Sequence, residues 1–212
     1  MPLAPAIILS LAATCAPSVA PPTLLAVARV ESGLDPLAIG VNGEATRRPR
    51  AGTSTEAIRE AEALIAGGHD VDLGLGQINV RNLPRVGLTI ADAFDPCRNL
   101  EASARILAEG YARSLPAKGA GQAALRTALS IYNTGGPDGG FRNGYVARVL
   151  ASARGDIEAR PAPVDPSLPA SIAAWHAAFS AFGAKPSKYP SSAEALIGRV
   201  LKGGSMPRVN VL

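Results

Sequence analysis

An acidic residue ends the most apolar helical stretch in the first part of the chain. Glu31 follows Leu24, Leu25, Val27 and Val30. The negative end of a helix dipole and apolar surroundings both raise the pKa of a carboxyl group. A carboxylic acid with a raised pKa keeps its proton near neutral pH and can donate it to a leaving group. Glu31 is therefore a candidate catalytic acid, and the alternative is a solvated charge at a helix end.

A glycine-rich segment, DLGLGQIN at 72–79, brings polar amides to a place that a ligand can approach. Gly74 and Gly76 permit close contact with the backbone, and Gln77 and Asn79 offer the amide donors and acceptors that sugars need. No Gly-Lys-Ser/Thr follows, and the glycines match no dinucleotide fingerprint, which argues against a phosphate-binding loop. A plain turn is the alternative interpretation.

A third segment, SIYNTGGPDGG at 130–140, combines polar side chains with a flexible loop. Tyr132 and Asn133 close a predicted helix, and the glycines after them are typical of a loop that lines a cleft. Tyr145 follows at the start of the next helix. Taken singly, each tyrosine fits a half-buried core position at least as well.

The elements that position these residues are predicted to be mainly helices. Proline, threonine and aspartate supply the starts of these helices, and glycine supplies several of their ends. Alternation of apolar and polar residues, the pattern of a strand, is nearly absent. Only the surroundings of GLGQINV at 74–80 suggest short strands or irregular loop. The predicted helices cover 23–32, 56–66, 97–115, 121–133 and 144–154.

Residues 1–20 contain an apolar run followed by small residues, and two interpretations are open. As a signal peptide, the run would be cleaved after Ala20, which would remove Cys15. The segment has no Lys or Arg near its start, unlike the usual n-region of a signal peptide. We favour a first helix of the folded domain, and this leaves the export route open.

Composition limits the classes of partner. The 212 residues carry a net charge of +4, and the short basic run at 46–50 has no interleaved aromatics, so no nucleic-acid partner is expected. His69 and His176 are far apart in sequence and no Cys/His cluster has metal-ligand spacing, so we expect neither a metal nor a cofactor. No apolar run approaches the ~20 residues of a membrane span.

The character of the chain changes after Arg154. Prolines become frequent, and the remainder is rich in Pro, Gly and Ser apart from a short amphipathic segment at 171–182. We predict one globular domain over 1–155 and a partly disordered extension over 156–212. The amphipathic segment contains Trp175, Phe179 and Phe182, and it is either a docking helix for a partner or a satellite packed on the domain.

Together the three polar segments resemble a known family. The order ES, GLGQIN, IYNTGG and a following tyrosine is similar to the lytic transglycosylases of the lysozyme superfamily. The branch associated with type IV secretion is the more similar, because it also has counterparts of CAPSVAPPTLLAVARVESGLDPLAIGVNG and FDPCRNLEASARIL, both cysteines included. The resemblance spans about residues 10–155. It implies a lysozyme-like α+β fold that is mainly α.

The resemblance also implies roles for individual residues. Glu31 becomes the catalytic acid and base, and Ser32 its supporting neighbour. The remaining residues would contact the sugar, line the site or hydrogen-bond the catalytic carboxyl: Gln77, Asn79, Tyr132, Asn133 and Tyr145. In an oxidising compartment Cys15 and Cys97 would be able to pair.

Two departures from the family pattern carry expectations of their own. Relatives commonly have Met where this chain has Gly76, and we expect the missing side chain to leave more room beside Gln77. The polar stretch 42–70 is longer than in the general family, and we interpret it as a lobe of the cleft.

The implied activity is cleavage of the MurNAc–GlcNAc linkage of peptidoglycan without water, giving 1,6-anhydromuramic acid ends. One acid with a tuned pKa suffices for both proton transfers, and no second acid has an obvious claim. Glycan strands would be the substrate, components of a type IV secretion or conjugation apparatus the candidate partners, and the periplasm the location. A hydrolysing muramidase using Asp35, Asp70 or Asp72, and a non-catalytic wall-binding assembly factor, are the alternatives.

Overall fold

The computed structural model describes residues 1–43, 49 and 51–158 of the chain. The boundary predicted at 155 and the extension after it therefore remain predictions. Residues 159–212, with the amphipathic segment at 171–182, lie outside the described part. The basic run at 46–50 also lies largely outside it.

The described part is mainly helical, as the sequence predicts. It contains nine α-helices and one short 3-10 helix at Val80–Asn82. The α-helices are α1 (Pro5–Cys15), α2 (Pro21–Ser32), α3 (Ser54–Ala66), α4 (Leu83–Val86), α5 (Ile90–Ala93), α6 (Pro96–Lys118), α7 (Gln122–Thr134), α8 (Gly139–Arg142) and α9 (Tyr145–Glu158).

A small antiparallel sheet lies between α2 and α4 in the sequence. Its strands are β1 (Ile39–Val41), β2 (Val71–Leu73) and β3 (Ile78–Asn79), in the spatial order β1-β2-β3. Asp72, in the middle of β2, pairs with Gly40 on one side and Asn79 on the other. The helical fold with a small sheet agrees with the lysozyme-like α+β class predicted from the sequence.

Helix α2 runs through the centre of the helical part of the molecule. Its residues from Thr23 to Ala28 are all buried, and the helix contacts α1, α6 and α9. Gly33 ends it in the left-handed conformation at φ 63°, which L-residues other than glycine rarely adopt. The acid at position 31 is thereby placed in the last turn of a helix whose body is buried.

The predicted helix boundaries agree with the structure where local signals are strong. The Thr53 side chain accepts a hydrogen bond from the Glu56 amide at the start of α3. The first helix, α1, is present and packs through the buried residues Ile8, Leu11 and Ala12. Helix α6 continues beyond the predicted end at residue 115, through Pro116, to Lys118.

A disulfide joins Cys15 at the end of α1 to Cys97 in the first turn of α6, with their Cα atoms 5.5 Å apart. The pairing of these two cysteines, which the sequence allowed, is therefore present. The bond ties the N-terminal helix to the longest helix of the domain across 82 residues of sequence.

Candidate active site

A cleft of about 860 Å³ lies between the small sheet and helices α6 and α7. The end of α2, strands β2 and β3, one face of α6 and the end of α7 provide its walls. Five of the predicted site residues line it together: Glu31, Gln77, Asn79, Tyr132 and Asn133. The segments that the sequence singled out, which are far apart along the chain, thus meet at one cavity.

Glu31 combines access to the cleft with poor solvation. Burial raises the pKa of its carboxyl group to about 7 and is the largest influence on it. A hydrogen bond from Tyr145 lowers this pKa, the negative charge of Asp72 raises it, and the positive charge of Arg148 lowers it. The group is therefore present in both its protonated and its ionised form near neutral pH.

Tyr145 lies behind Glu31. It is almost completely buried at the start of α9, and its hydroxyl donates a hydrogen bond to Glu31 Oε1 at 2.6 Å. The Asn143 side chain accepts a bond from the Tyr145 amide at 2.9 Å, and the Arg148 guanidinium lies 5.9 Å from the centre of its ring. These contacts hold the tyrosine, and hence the carboxyl group, in one orientation.

Tyr132 connects α7 to the glycine-rich loop. Its hydroxyl donates to the Gly76 carbonyl at 2.7 Å, and burial followed by the charge of Glu31 raises its pKa. A Cβ atom at position 76 would collide with the Ser103 hydroxyl and lie 2.7 Å from that of Tyr132. The expectation of extra room at Gly76 is therefore wrong, because Ser103 and Tyr132 already occupy the space.

A buried asparagine that the sequence analysis missed holds the same loop. Asn99 is completely buried in α6 and donates to the carbonyls of Leu73 and Ala93 at 3.0 and 2.7 Å. Its Oδ1 accepts from the Gly76 amide at 2.7 Å. The sequence does place this asparagine next to the apolar face of a predicted helix. An amide side chain buried there must find hydrogen-bond partners, and this was the signal that could have identified it.

Gln77 projects from this loop in an unusual backbone conformation. Its φ of 48° lies in the left-handed region, which costs a residue with a side chain of the order of 1 kcal/mol or more. Its Nε2 donates to the carbonyls of Ala38 and Gly74 at 3.2 and 2.9 Å. Within the described part of the chain no donor reaches its Oε1.

The amide of Asn79 is committed to neighbours within the protein. Its Nδ2 donates to Asp70 at 2.7 Å and to Asp72 at 2.9 Å, and its Oδ1 accepts from the Arg81 amide at 3.0 Å. A direct sugar contact, as the resemblance implied, would use the second lone pair of Oδ1 or replace one of these bonds. In the structure Asn79 fixes the position of Asp72.

Asp72 is a second carboxylate in the same cleft as Glu31. Its neighbours in β2, Val71 and Leu73, are completely buried, so the alternation of a strand turns Asp72 to the opposite, cleft side. Burial raises its pKa, and hydrogen bonds from Asn79 and Asn42 lower it. The expectation that Glu31 has no obvious second acid beside it must therefore be corrected, because Asp72 lines the same cleft.

The two other acids considered for a second role lie elsewhere. Asp35 accepts a bond from the Leu37 amide at 3.1 Å and is not among the cleft-lining residues, which agrees with its interpretation as part of a turn. Asp70 is paired with Arg81 at 3.3 Å behind Asn79. Asp72 alone of the three lines the cleft.

Ser32 is not among the cleft-lining residues. Its hydroxyl donates to the carbonyl of Ala28 at 2.9 Å, one turn earlier in α2. This bond satisfies a backbone group near the end of the helix. Ser32 therefore supports the segment that carries Glu31.

Among residues 1–43, 49 and 51–158, no three His, Cys, Asp or Glu side chains cluster in a way that would hold a metal ion. None of the helices there combines the length and the apolar character needed to cross a membrane.

Comparisons with known proteins agree with the geometry. The family model described as "Transglycosylase SLT domain" matches residues 8–147. The "Type IV secretion system protein virB1" of Brucella suis biovar 1 (strain 1330) is 44% identical over 167 residues, which cover 76% of this chain and 68% of that protein. "Protein virB1" of Agrobacterium fabrum (strain C58 / ATCC 33970) is 40% identical over 166 residues, covering 76% and 66%. No solved structure matches.

Proposed function

We propose residue roles for this cleft from the premise that the chain belongs to the transglycosylase SLT family, whose model matches residues 8–147. The protein is a peptidoglycan lytic transglycosylase. It cleaves the linkage between N-acetylmuramic acid and N-acetylglucosamine without adding water, and the muramic acid product ends in a 1,6-anhydro ring.

Glu31 is the acid and then the base of this reaction. Its protonated carboxyl donates to the glycosidic oxygen, the bond from that oxygen to the anomeric carbon breaks, and positive charge develops at that carbon. The N-acetyl group of the muramic acid stabilises this charge. The resulting Glu31 carboxylate then removes the proton of the 6-hydroxyl, whose oxygen attacks the anomeric carbon and closes the anhydro ring.

One observation carries this assignment: Glu31 lines the cleft with a pKa of about 7. A group that must first donate and then accept a proton works best when its pKa lies near the working pH. Tyr145 contributes by orienting the carboxyl group through its 2.6 Å hydrogen bond. No second carboxylate has to activate a water molecule, since no water enters the product.

The other predicted residues act on the sugar or on the acid. Asp72 adds negative charge opposite the developing positive charge and keeps the pKa of Glu31 high. Gln77 offers its Oε1 to a sugar hydroxyl or amide, and Asn133 lines the cleft beside Tyr132. Asn79 and Ser32 act indirectly, by holding Asp72 and the end of α2.

The biological setting is proposed from the relatives. Two similar proteins carry the name virB1, and one of them is called a type IV secretion system protein. We infer that this enzyme acts on the cell wall in the periplasm and opens it locally for a type IV secretion or conjugation apparatus. Components of that apparatus are then its protein partners, and peptidoglycan strands are its substrate.

Mass spectrometry of peptidoglycan sacculi after incubation with the protein tests the reaction and the acid together. We expect anhydromuropeptides from the wild type and from Glu101→Gln, a control at an exposed glutamate of α6, and none from Glu31→Gln. Products with reducing ends, heavier by one water, would instead identify a hydrolase. Sacculi that bind the protein but yield no products would identify a wall-binding factor.

A further inference from the structure

The cleft continues from Glu31 along one face of α6 to a group of charged side chains. Ile106, Glu109 and Arg113 lie on this face, and at 1.5 Å per residue the distance from the first to the last is about 10 Å. Arg85, in the last turn of α4, also lines the cleft. We call Arg85, Glu109 and Arg113 the arginine end of the cleft.

The arginine end has more positive than negative charge. Glu109 interacts with two guanidinium groups, Arg85 at one oxygen and Arg105 at the other. Arg113 follows Glu109 by one turn of α6 and is exposed, and within the described part of the chain it has no hydrogen-bond or ion-pair partner. Two arginines therefore contact one carboxylate and a third, Arg113, lies one helical turn further along, whereas the acids Glu31 and Asp72 line another part of the same cleft.

The sugars of a glycan strand give this positive charge nothing to bind. N-acetylglucosamine is neutral, and the lactyl carboxyl of each N-acetylmuramic acid is consumed in the amide bond to its peptide. The anionic groups of the polymer are the free carboxylates of those peptide stems. Guanidinium groups bind carboxylates through paired N–H donors, more specifically than an ammonium group does.

We propose that the arginine end is a subsite for the carboxylates of the peptide stem, with Arg113 as its principal ligand-binding residue. The enzyme thereby distinguishes strands that carry peptides from strands that have lost them. Arg85 contributes a second guanidinium whose charge is partly neutralised by Glu109. This inference rests on the proposed function and defines its substrate as peptide-bearing peptidoglycan.

Binding to uncleaved strands separates this proposal from catalysis. The Glu31→Gln protein serves as the background, and its affinity is measured for three soluble preparations. These are peptide-bearing strands, strands stripped of peptides by an amidase and then amidated chemically at the lactyl carboxylates that the amidase frees, and peptide-bearing strands whose carboxylates have been amidated in the same way. Arg113→Gln and Arg85→Gln are added singly, with Arg126→Gln, at an exposed arginine of α7 outside the cleft, as the matched control.

We expect Arg113→Gln to raise the Kd for peptide-bearing strands roughly fivefold, the size of a well-placed exposed ion pair. Its Kd for stripped and amidated strands stays unchanged, and Arg126→Gln has no effect on any of the three. Equal weakening for all three preparations, or an unchanged Kd for peptide-bearing strands, would overturn the proposal. Anhydro products formed from stripped strands by the protein with Glu31 intact test the proposed function separately.

Discussion

Glu31 lies between two groups that shift its proton affinity in opposite directions. Tyr145 donates a hydrogen bond that favours the carboxylate, and Asp72 contributes a negative charge that favours the protonated acid. Burial has a larger effect than either and sets the pKa at about 7. Each neighbour can therefore be substituted singly, and the direction in which the pKa of Glu31 shifts is predicted for each substitution.

Asp72→Asn should lower the pKa of Glu31, because it removes a nearby negative charge. The fraction of protonated acid at pH 7 then falls, and the alkaline limb of the pH–rate profile moves to lower pH. Measurement of kcat/KM between pH 4.5 and 8.5 checks this, with Asp35→Asn as a control outside the cleft. An alkaline limb that stays in place would contradict the assigned role of Asp72.

Tyr145→Phe should have the opposite effect on the same limb. Loss of the hydroxyl removes the bond that stabilises the ionised form, so the pKa of Glu31 rises and the limb moves to higher pH. The rate at the optimum should also fall, by roughly 10- to 100-fold, because the carboxyl group loses the contact that orients it. A limb that moves to lower pH would rule out this role for the hydroxyl.

At the scale of secondary structure, the disulfide is the strongest connection between α1 and the rest of the domain. Closing a loop across 82 residues reduces the entropy of the unfolded chain by an amount equivalent to roughly 4 to 4.5 kcal/mol, less any strain. Reduction should therefore lower the free energy of unfolding by about 2–4 kcal/mol. Urea unfolding with and without a reductant measures this difference.

The matched control is the double variant Cys15→Ser, Cys97→Ser. Its unfolding curve should match that of the reduced wild type and should not change when reductant is added. If the wild type unfolds identically in the presence and absence of reductant, the disulfide contributes nothing to stability. Activity at a temperature where both forms are folded should be retained, since neither cysteine lines the cleft.

Elements with strong local signals and enough residues to show a period were predictable, and the shortest elements were not. Helices α2 and α3 have proline or threonine at their starts and glycine at their ends, and these signals act within a few residues. Strand β1 and helices α4, α5 and α8 have only three or four residues each, too few to show a period.

The same distinction holds within the site. Glu31 was found because its apolar neighbours are adjacent in sequence. The packing at Gly76 was mispredicted because Tyr132, which fills the space, is 56 residues away. The place of Asp72 in the cleft depends on the pairing of β2 with β1 and β3, which a strand of three residues does not reveal.

At the scale of the whole molecule, the buried Glu31 carboxyl group lowers the free energy of unfolding at alkaline pH. The pKa of Glu31 rises from 4.5 to about 7 on folding, so the native state binds more protons than the unfolded state between these values. The contribution of this group to the free energy of unfolding is fully present below about pH 4.5 and is lost as the pH rises through about 7. The loss amounts to about 3 kcal/mol at most.

Glu31→Gln should abolish this part of the pH dependence. We expect the variant to be more stable than the wild type above pH 7, and the difference between the two to shrink as the pH falls towards 4.5. Urea unfolding of both proteins at a series of pH values provides the comparison. Curves of stability against pH that run parallel for the two proteins would contradict a raised pKa at Glu31.

The hydrogen bond from Tyr145 to Glu31 spans 114 residues of sequence. During synthesis, the acid emerges from the ribosome long before the residue that orients it and the helix that packs over α2. Until α9 is in place, the Glu31 carboxyl group lacks the hydroxyl that orients it. A chain that ends before α9 therefore lacks a part of its site, although it carries Glu31 and the glycine-rich loop.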